Sequence, residues 1–256
     1  VIAAADRLAL RRAEVGVECI LPDGHALPLR YLMGIGRNYA EHAGEQGAAV
    51  PDRPMVFVKS PASAILSGDA IVIPRICASQ DQVDYEGELA VILGRAVRDA
   101  TESDAADPDS GIILGYAPAN DVSARWWQKQ GAGGQFTRGK SFDTFCPIGP
   151  WITRASAVAA LGGPHRLRIR TTLSGEVVQS DSVSSMVFSV PALIADLSRS
   201  ATLPPGTVIL TGTPAGVGMA RTPPRFLKPG DTVAIEIGTD ADPAALGRLE
   251  NPVRAE

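Results

Sequence analysis

Cysteine is scarce. Cys19, Cys77 and Cys146 are the only three in 256 residues, and no two of them have CxxC or CxxxC spacing. An odd, dispersed set argues against a disulfide framework and against a cysteine-based zinc site, and it fits a reducing, cytoplasmic setting. Excess basic charge is also missing: the formal net charge is −4, which speaks against an extended nucleic-acid surface. No apolar run approaches the ~20 residues of a membrane-spanning helix, so no membrane partner is expected. The opening residues show no charged–apolar–small signal pattern. The sequence begins at Val1 rather than Met, which leaves open what precedes it. Solenoid-period repeats and long low-complexity linkers are absent. Lysine is rare beside arginine: Lys59, Lys129, Lys140 and Lys228 stand against twenty arginines. Arginine therefore carries the generic surface charge, and each lysine invites scrutiny.

What is present suffices for a large core, with 45% apolar and 20% charged residues. The length suggests one domain with a small appendage. We place the appendage at 1–30, read as short strands around the turn Pro22-Asp23-Gly24, and the main body at 31–256. Apolar runs predict strands near 32–36, 55–59, 70–73, 85–93, 112–116, 167–173, 176–180, 207–211 and 232–237. Helical signals are few and short. They cover 40–45, then 122–129 after Asp121 as an N-cap, and 190–199 with Pro191 near its start. The acidic stretch 101–110 reads as a loop or frayed helix. The expected class is mainly β with short helices (α+β), and the irregular alternation disfavours a doubly wound parallel sheet.

Four features carry chemistry. Asp84, Glu86 and Glu88 are two apart, so on a strand they share one face at steps of about 7 Å. Carboxylates massed beside the apolar Leu89 and Val91 repel unless a cation neutralises them, and a hard divalent ion prefers such oxygen ligands. A solvated edge-strand face has the same spacing. Asp121 follows an apolar strand, where it can complete a metal site or cap the next helix. Gly134, Gly139, Lys140 and Ser141 satisfy GxxxxGKS. A phosphate loop, however, needs a strand leading in and a helix leading out, and here a glycine-rich turn precedes and Pro147 follows. An ordinary surface lysine is the simpler reading of Lys140. His42 and Glu45 lie one helical turn apart, either a general-base pair for water or a surface ion pair. His25 and His165 sit in turn-like contexts and read as surface residues.

Taken together, seven segments in order resemble the fumarylacetoacetate hydrolase superfamily. They are Gly-Ile-Gly-Arg-Asn-Tyr-Ala-Glu-His at 34–42, Phe-Val-Lys-Ser-Pro at 57–61 and Val-Asp-Tyr-Glu-Gly-Glu-Leu at 83–89. Asn-Asp-Val-Ser-Ala-Arg at 120–125 and Gly-Lys-Ser-Phe-Asp-Thr-Phe-Cys-Pro at 139–147 follow. Phe-Ser-Val-Pro at 188–191 and Leu-Thr-Gly-Thr-Pro-Ala-Gly-Val-Gly at 210–218 complete the set. The resemblance covers 31–253 and is closest to the small acylpyruvate hydrolase and hydroxydienedioate isomerase branch, some of whose members serve aromatic catabolism.

The resemblance implies a mixed β-roll, commonly a homodimer, with Glu86, Glu88 and Asp121 as ligands for Mg2+ or Mn2+. It implies Lys140 as the stabiliser of enolate charge, and Arg125, Gln128 and Thr213 as substrate-binding residues. His42 and Glu45 become a water-activating pair on a mobile lid. The implied substrate is a small 2-oxo (β-diketo) acid, with carbon–carbon bond hydrolysis of an acylpyruvate placed first. Isomerisation or hydration of a 2-hydroxydienedioate and decarboxylation of oxaloacetate are the alternatives. A metal-stabilised binding protein without turnover is the reading from another class, against which both Lys140 and the His42–Glu45 pair argue. Two positions depart from the family pattern. Trp126 stands where many relatives have an acidic residue, and Ile35 replaces a further carboxylate, which favours a three-carboxylate site.

Overall fold

The strand Gly87–Leu93 is the axis of the molecule, and all seven of its residues are buried. Its side chains alternate as strand geometry demands: Leu89, Val91 and Leu93 join one apolar cluster, Ala90 and Ile92 another on the opposite face. Each fully buried aliphatic side chain of this kind contributes about 1.5–3 kcal/mol. The computed structural model describes residues 2–45, 47, 49–80 and 82–256.

Around this axis runs a nine-stranded mixed sheet. Its order is Ala26–Pro28, Val17–Ile20, Arg7–Arg12, Trp151–Arg154, Ile113–Asn120, Gly87–Leu93, Thr207–Leu210, Tyr31–Gly36 and Met55–Lys59. All its pairs are antiparallel except Thr207–Leu210 with Tyr31–Gly36. A five-stranded sheet, Glu176–Ser182, Arg168–Leu173, Thr232–Gly238, Arg248–Ala255 and Ile71–Ile73, packs against it. The helices are short, the longest being Val190–Leu197 among the described residues. It starts as the sequence predicts, with Ser189 accepting the Ala192 N–H and Pro191 in its first turn. Mainly β with short helices is therefore the observed class. No helix among the described residues is long and apolar enough to cross a membrane.

Local expectations are revised where side chains replace ladder hydrogen bonds. The predicted strand 85–93 begins only at Gly87, because Tyr85 N–H bonds to Asp84 Oδ1 and Glu86 N–H to Asn120 Oδ1. The predicted strand 112–116 is Ile113–Asn120 and runs through Pro118. The predicted helix 122–129 contracts to Arg125–Lys129, with Ala124 rather than Asp121 at its N-cap, since Ser123–Ala124 pairs with Val83–Asp84. The stretch 101–110 contains the helix Glu102–Ala106, closed by a Thr101–Asp104 capping box. The strands Trp151–Arg154 and Arg248–Ala255 and the helix Ala155–Ala160 had no clear sequence signal.

Gly87 lies where the two sheets meet, and a Cβ there would sit 2.0 Å from Thr171 Oγ1. The close approach keeps the backbone between Glu86 and Glu88 pressed against the second sheet. Gly87→Ala is expected to destabilise the fold by about 1–3 kcal/mol through overpacking. Thr171→Ala alone should be nearly neutral, because the buried Thr171 Oγ1 has no hydrogen-bond partner among the described residues. Combined, the two changes should recover at least half of the loss in a denaturant double-mutant cycle; strict additivity would show that Thr171 is not the obstacle.

Candidate metal centre and active-site cavity

Glu86 and Glu88 leave the central strand at one end. Asp121 arrives beside them from the neighbouring strand, which is in register with Ala119 opposite Glu88. The backbone locks the two segments together: Asp121 N–H donates to Glu86 O, and Asn120 Oδ1 accepts the Glu86 N–H. The three carboxylates each offer an oxygen, all within 4.8 Å of one another, and are at most 5% exposed.

Asp84 does not join them. It accepts from Gly218 N–H, Met219 N–H and Arg125 Nε, so the third member of the sequence triplet is an anchor for Arg125 and the 218–219 turn. Arg125 Nη1 then reaches Glu86 Oε1 at 2.6 Å and Gln128 Oε1 at 3.1 Å. The guanidinium is thus committed to two carboxylates, while Gln128 keeps its NH2 as a donor on the cavity wall.

Lys140 ends the helix Phe136–Lys140. That helix packs directly on Arg125–Lys129 because Gly139 has no side chain: a Cβ there would lie 2.4 Å from Gln128 N. The lysine therefore enters the site from the C-terminal end of a short helix, with neither the strand nor the leading helix start of a phosphate loop. It is 2% exposed, and Nζ lies 2.6 Å from both Glu86 Oε2 and Asp121 Oδ2. Burial opposes its charge, but Asp121 and Glu86 more than compensate and raise its pKa. Burial also opposes ionisation of Glu86, yet Lys140 and Arg125 hold it well below the usual carboxylate range.

Glu88 is different. Its side chain accepts from Gly212 N–H at 2.7 Å, and among the described residues no basic group comes within ion-pair distance. Burial, then Asp121 and Glu86, push its pKa well above the usual range. A buried carboxylate facing two others, with no cation of its own, has the donor chemistry that a hard divalent ion satisfies. The triad fits a metal ion on that ground.

The surrounding cavity has a volume of about 310 Å3. His42, Arg125, Gln128, Lys140 and Thr213, each expected at the site, all line it. His42 is 4% exposed, so it is not a surface histidine, and its Nδ1 lies 2.6 Å from Glu45 Oε1. Glu45 Oε2 accepts the Gly216 N–H, tying the helix Ala40–Glu45 to the 212–218 turn. His25 and His165 are exposed. The Thr213 hydroxyl donates to Gly87 O and accepts from Gln179 Nε2. Its hydrogen is therefore not on offer to a ligand, and the Thr213 backbone N–H is the donor left for one. All three cysteines are buried free thiols, and burial pushes that of Cys146, beside the site, up to about 12.

The sequence marked Lys59 only as one of four rare lysines and gave it no role. Lys59 is buried, and its Nζ lies 2.5 Å from Asp121 Oδ1. Alternation on Met55–Lys59 was the available signal: Val56 and Val58 are exposed while Phe57 and Lys59 are buried. A lysine on the inward face of a strand must find a carboxylate.

Comparison with known proteins agrees with this geometry. The profile of the fumarylacetoacetate (FAA) hydrolase C-terminal region matches residues 32–254. The mitochondrial oxaloacetate tautomerase fahd2 of Xenopus laevis is 43% identical over 219 residues, which are 86% of this chain and 64% of that protein. The chain thus spans less than two thirds of that relative's length. The oxaloacetate tautomerase YisK of Bacillus subtilis is 42% identical over 228 residues, 88% of this chain and 70% of that protein. The structure of the fumarylacetoacetate hydrolase from Exiguobacterium antarcticum superposes with a TM-score of 0.76 at 37% identity, covering 96% of this chain and 81% of that one. Seven sequence segments, the strand-borne carboxylates and a profile match over most of the chain converge on one assignment: the protein belongs to the fumarylacetoacetate hydrolase family.

Proposed function

We propose that this chain is a Mg2+- or Mn2+-dependent enzyme that interconverts the keto and enol forms of a small 2-oxo acid. Glu86, Glu88 and Asp121 would hold the ion. The observation that carries the reading is the buried carboxylate triad with Lys140 set between Glu86 and Asp121 on a cavity wall. The names of the Xenopus and Bacillus relatives, both oxaloacetate tautomerases, support enol chemistry ahead of the bond cleavage that the sequence resemblance placed first.

When bound, such an ion supplies Lewis-acid polarisation of a 2-oxo carbonyl and its adjacent carboxylate. Lys140 presents fixed positive charge where the carbonyl oxygen becomes negative, and in a buried site that charge is pre-oriented. Gln128 NH2 and the Thr213 N–H orient the substrate carboxylate. Arg125, committed to Asp84 and Glu86, keeps the triad in place and adds positive potential. Glu45 lies on the Nδ1 side of His42 and orients the ring, and proton exchange is given to Nε2 in this proposal. A proton leaves the carbon next to the carbonyl for His42 and is returned to the carbonyl oxygen, and the reverse order restores the keto form. The net change is an isomerisation.

A second reading rests on the same pair. His42 held by Glu45 at 2.6 Å also suits activation of water, which would hydrolyse an acylpyruvate between its carbons. The proposal extends to a catalytic portion at 31–256 carrying the 1–30 strands as an appendage, working as a cytoplasmic homodimer.

Enol absorbance of oxaloacetate followed with Mg2+, with and without chelator, tests the reaction. Faster decay that chelator abolishes is expected; full activity in metal-free protein would remove the metal mechanism. Glu86→Gln should lose bound metal and on the order of a hundredfold or more in kcat. His42→Asn should lose about 10²–10⁴-fold in kcat while its metal content stays at the wild-type level; an equal loss of metal would mean that His42 acts structurally. Acetylpyruvate supplied to the same preparations separates the readings, because hydrolysis releases two products and tautomerisation releases none.

A further inference from the structure

The cavity contains two cations beyond those its carboxylates neutralise. Arg125 is taken by Asp84 and Glu86, Lys140 by Glu86 and Asp121, and Lys59 by Asp121. Arg37 and Lys129 line the same cavity. Among the described residues, neither has a carboxylate within ion-pair distance. Arg37 is half-buried and Lys129 exposed; partial burial, then the neighbouring Arg125 and Arg37 charges, depress the Lys129 ammonium below its ordinary pKa.

Arg37 reaches this position through an unusual backbone. Its φ is 57°, in the left-handed region that residues with a side chain avoid. The next residue enforces it. Asn38 is fully buried, and its side-chain NH2 donates to Thr211 O and Phe188 O while its Oδ1 accepts the Phe188 N–H. Its carbonyl also accepts the Val187 N–H. Four hydrogen bonds at one residue fix the chain as it leaves the strand Tyr31–Gly36, and the price is an arginine in a strained conformation. Asp99, Thr144, Ser174 and Ser200 also have positive φ; Arg37 is the one of the five that lines this cavity.

We propose that Arg37 and Lys129 form a second anion subsite that binds the distal carboxylate of the substrate and selects 2-oxo dicarboxylates over 2-oxo monocarboxylates. The inference rests on the reading that Lys140 and the triad handle the 2-oxo acid end. A planar guanidinium suits bidentate capture of a carboxylate, and Lys129 adds a point charge on a flexible stem. Groups that capture the far carboxylate leave the reacting end to Lys140 and His42, so their contribution falls on binding and specificity.

Oxaloacetate and acetylpyruvate share the 2-oxo acid end and differ in the charge at the other, so they form the test pair. With Mg2+ present, Arg37→Ala should raise KM for oxaloacetate about tenfold or more and lower kcat far less. Its KM for acetylpyruvate should stay near the wild-type value. Lys129→Ala should act in the same direction with a smaller effect, and Arg37→Lys should restore part of the discrimination. Arg37→Gly relieves the backbone strain, so an unchanged melting temperature with the same loss of discrimination would separate binding from folding. Equal KM increases for both substrates, or none for oxaloacetate, would overturn the subsite. If wild-type protein turns over neither compound, the enol reading fails first. The subsite is then judged by melting temperature alone: oxaloacetate should stabilise the protein more than acetylpyruvate, and Arg37→Ala should erase the difference. Equal stabilisation by the two ligands would refute it.

Discussion

Everything at the site follows from the cost of burying like charges together. Asp84, Glu86, Glu88 and Asp121 crowd one end of a wholly buried strand, with Arg125, Lys140 and Lys59 supplied by three other segments. Desolvating such charges is expensive unless each one is paired and hydrogen-bonded. The pairing is nearly complete, and the exception is informative. Glu88 receives a backbone N–H but no cation among the described residues, so burial beside Asp121 and Glu86 disfavours its charged form until a cation arrives. Simple structural ion-pair networks have no reason to leave such a gap. A site built to accept a cation does.

The fold serves that arrangement by rigid means. Glu86 and Glu88 stand on the central strand, and Asp121 at the end of its neighbour, so their separation is set by strand register. Gly87 brings the second sheet to within contact of the same backbone, and Gly139 brings the Lys140 helix onto the Arg125 helix. Close approaches at both glycines leave little freedom at the centre. His42 and Glu45 lie outside this frame, on the short helix Ala40–Glu45, which the Glu45–Gly216 hydrogen bond ties down.

The sequence made much of this legible, for identifiable reasons. Strands such as Met55–Lys59 and Thr207–Leu210 announced themselves by apolar, β-branched runs bounded by turn residues. Glu86, Glu88, Asp121 and Lys140 were singled out because their segments recur in family order; spacing alone left a solvated edge and a helix cap open. Asp121 turned out not to be a cap, because Ser123–Ala124 pairs as a strand before the helix begins. The role of Asp84 was hidden, since period-two alternation places it with Glu86 whereas the chain breaks pattern at Tyr85. The strained Arg37 was invisible for another reason: what fixes it is Asn38 bonding to residues 150 and more positions away. Contacts so distant leave no local trace.

Crystals grown with Mn2+ and measured for anomalous scattering decide whether the three carboxylates hold an ion. A single strong peak coordinated by oxygens of Glu86, Glu88 and Asp121 is expected, absent from Glu88→Gln protein prepared in parallel. Ordered crystals of active protein with no anomalous density at the triad, or with a peak that survives Glu88→Gln unchanged, would contradict it.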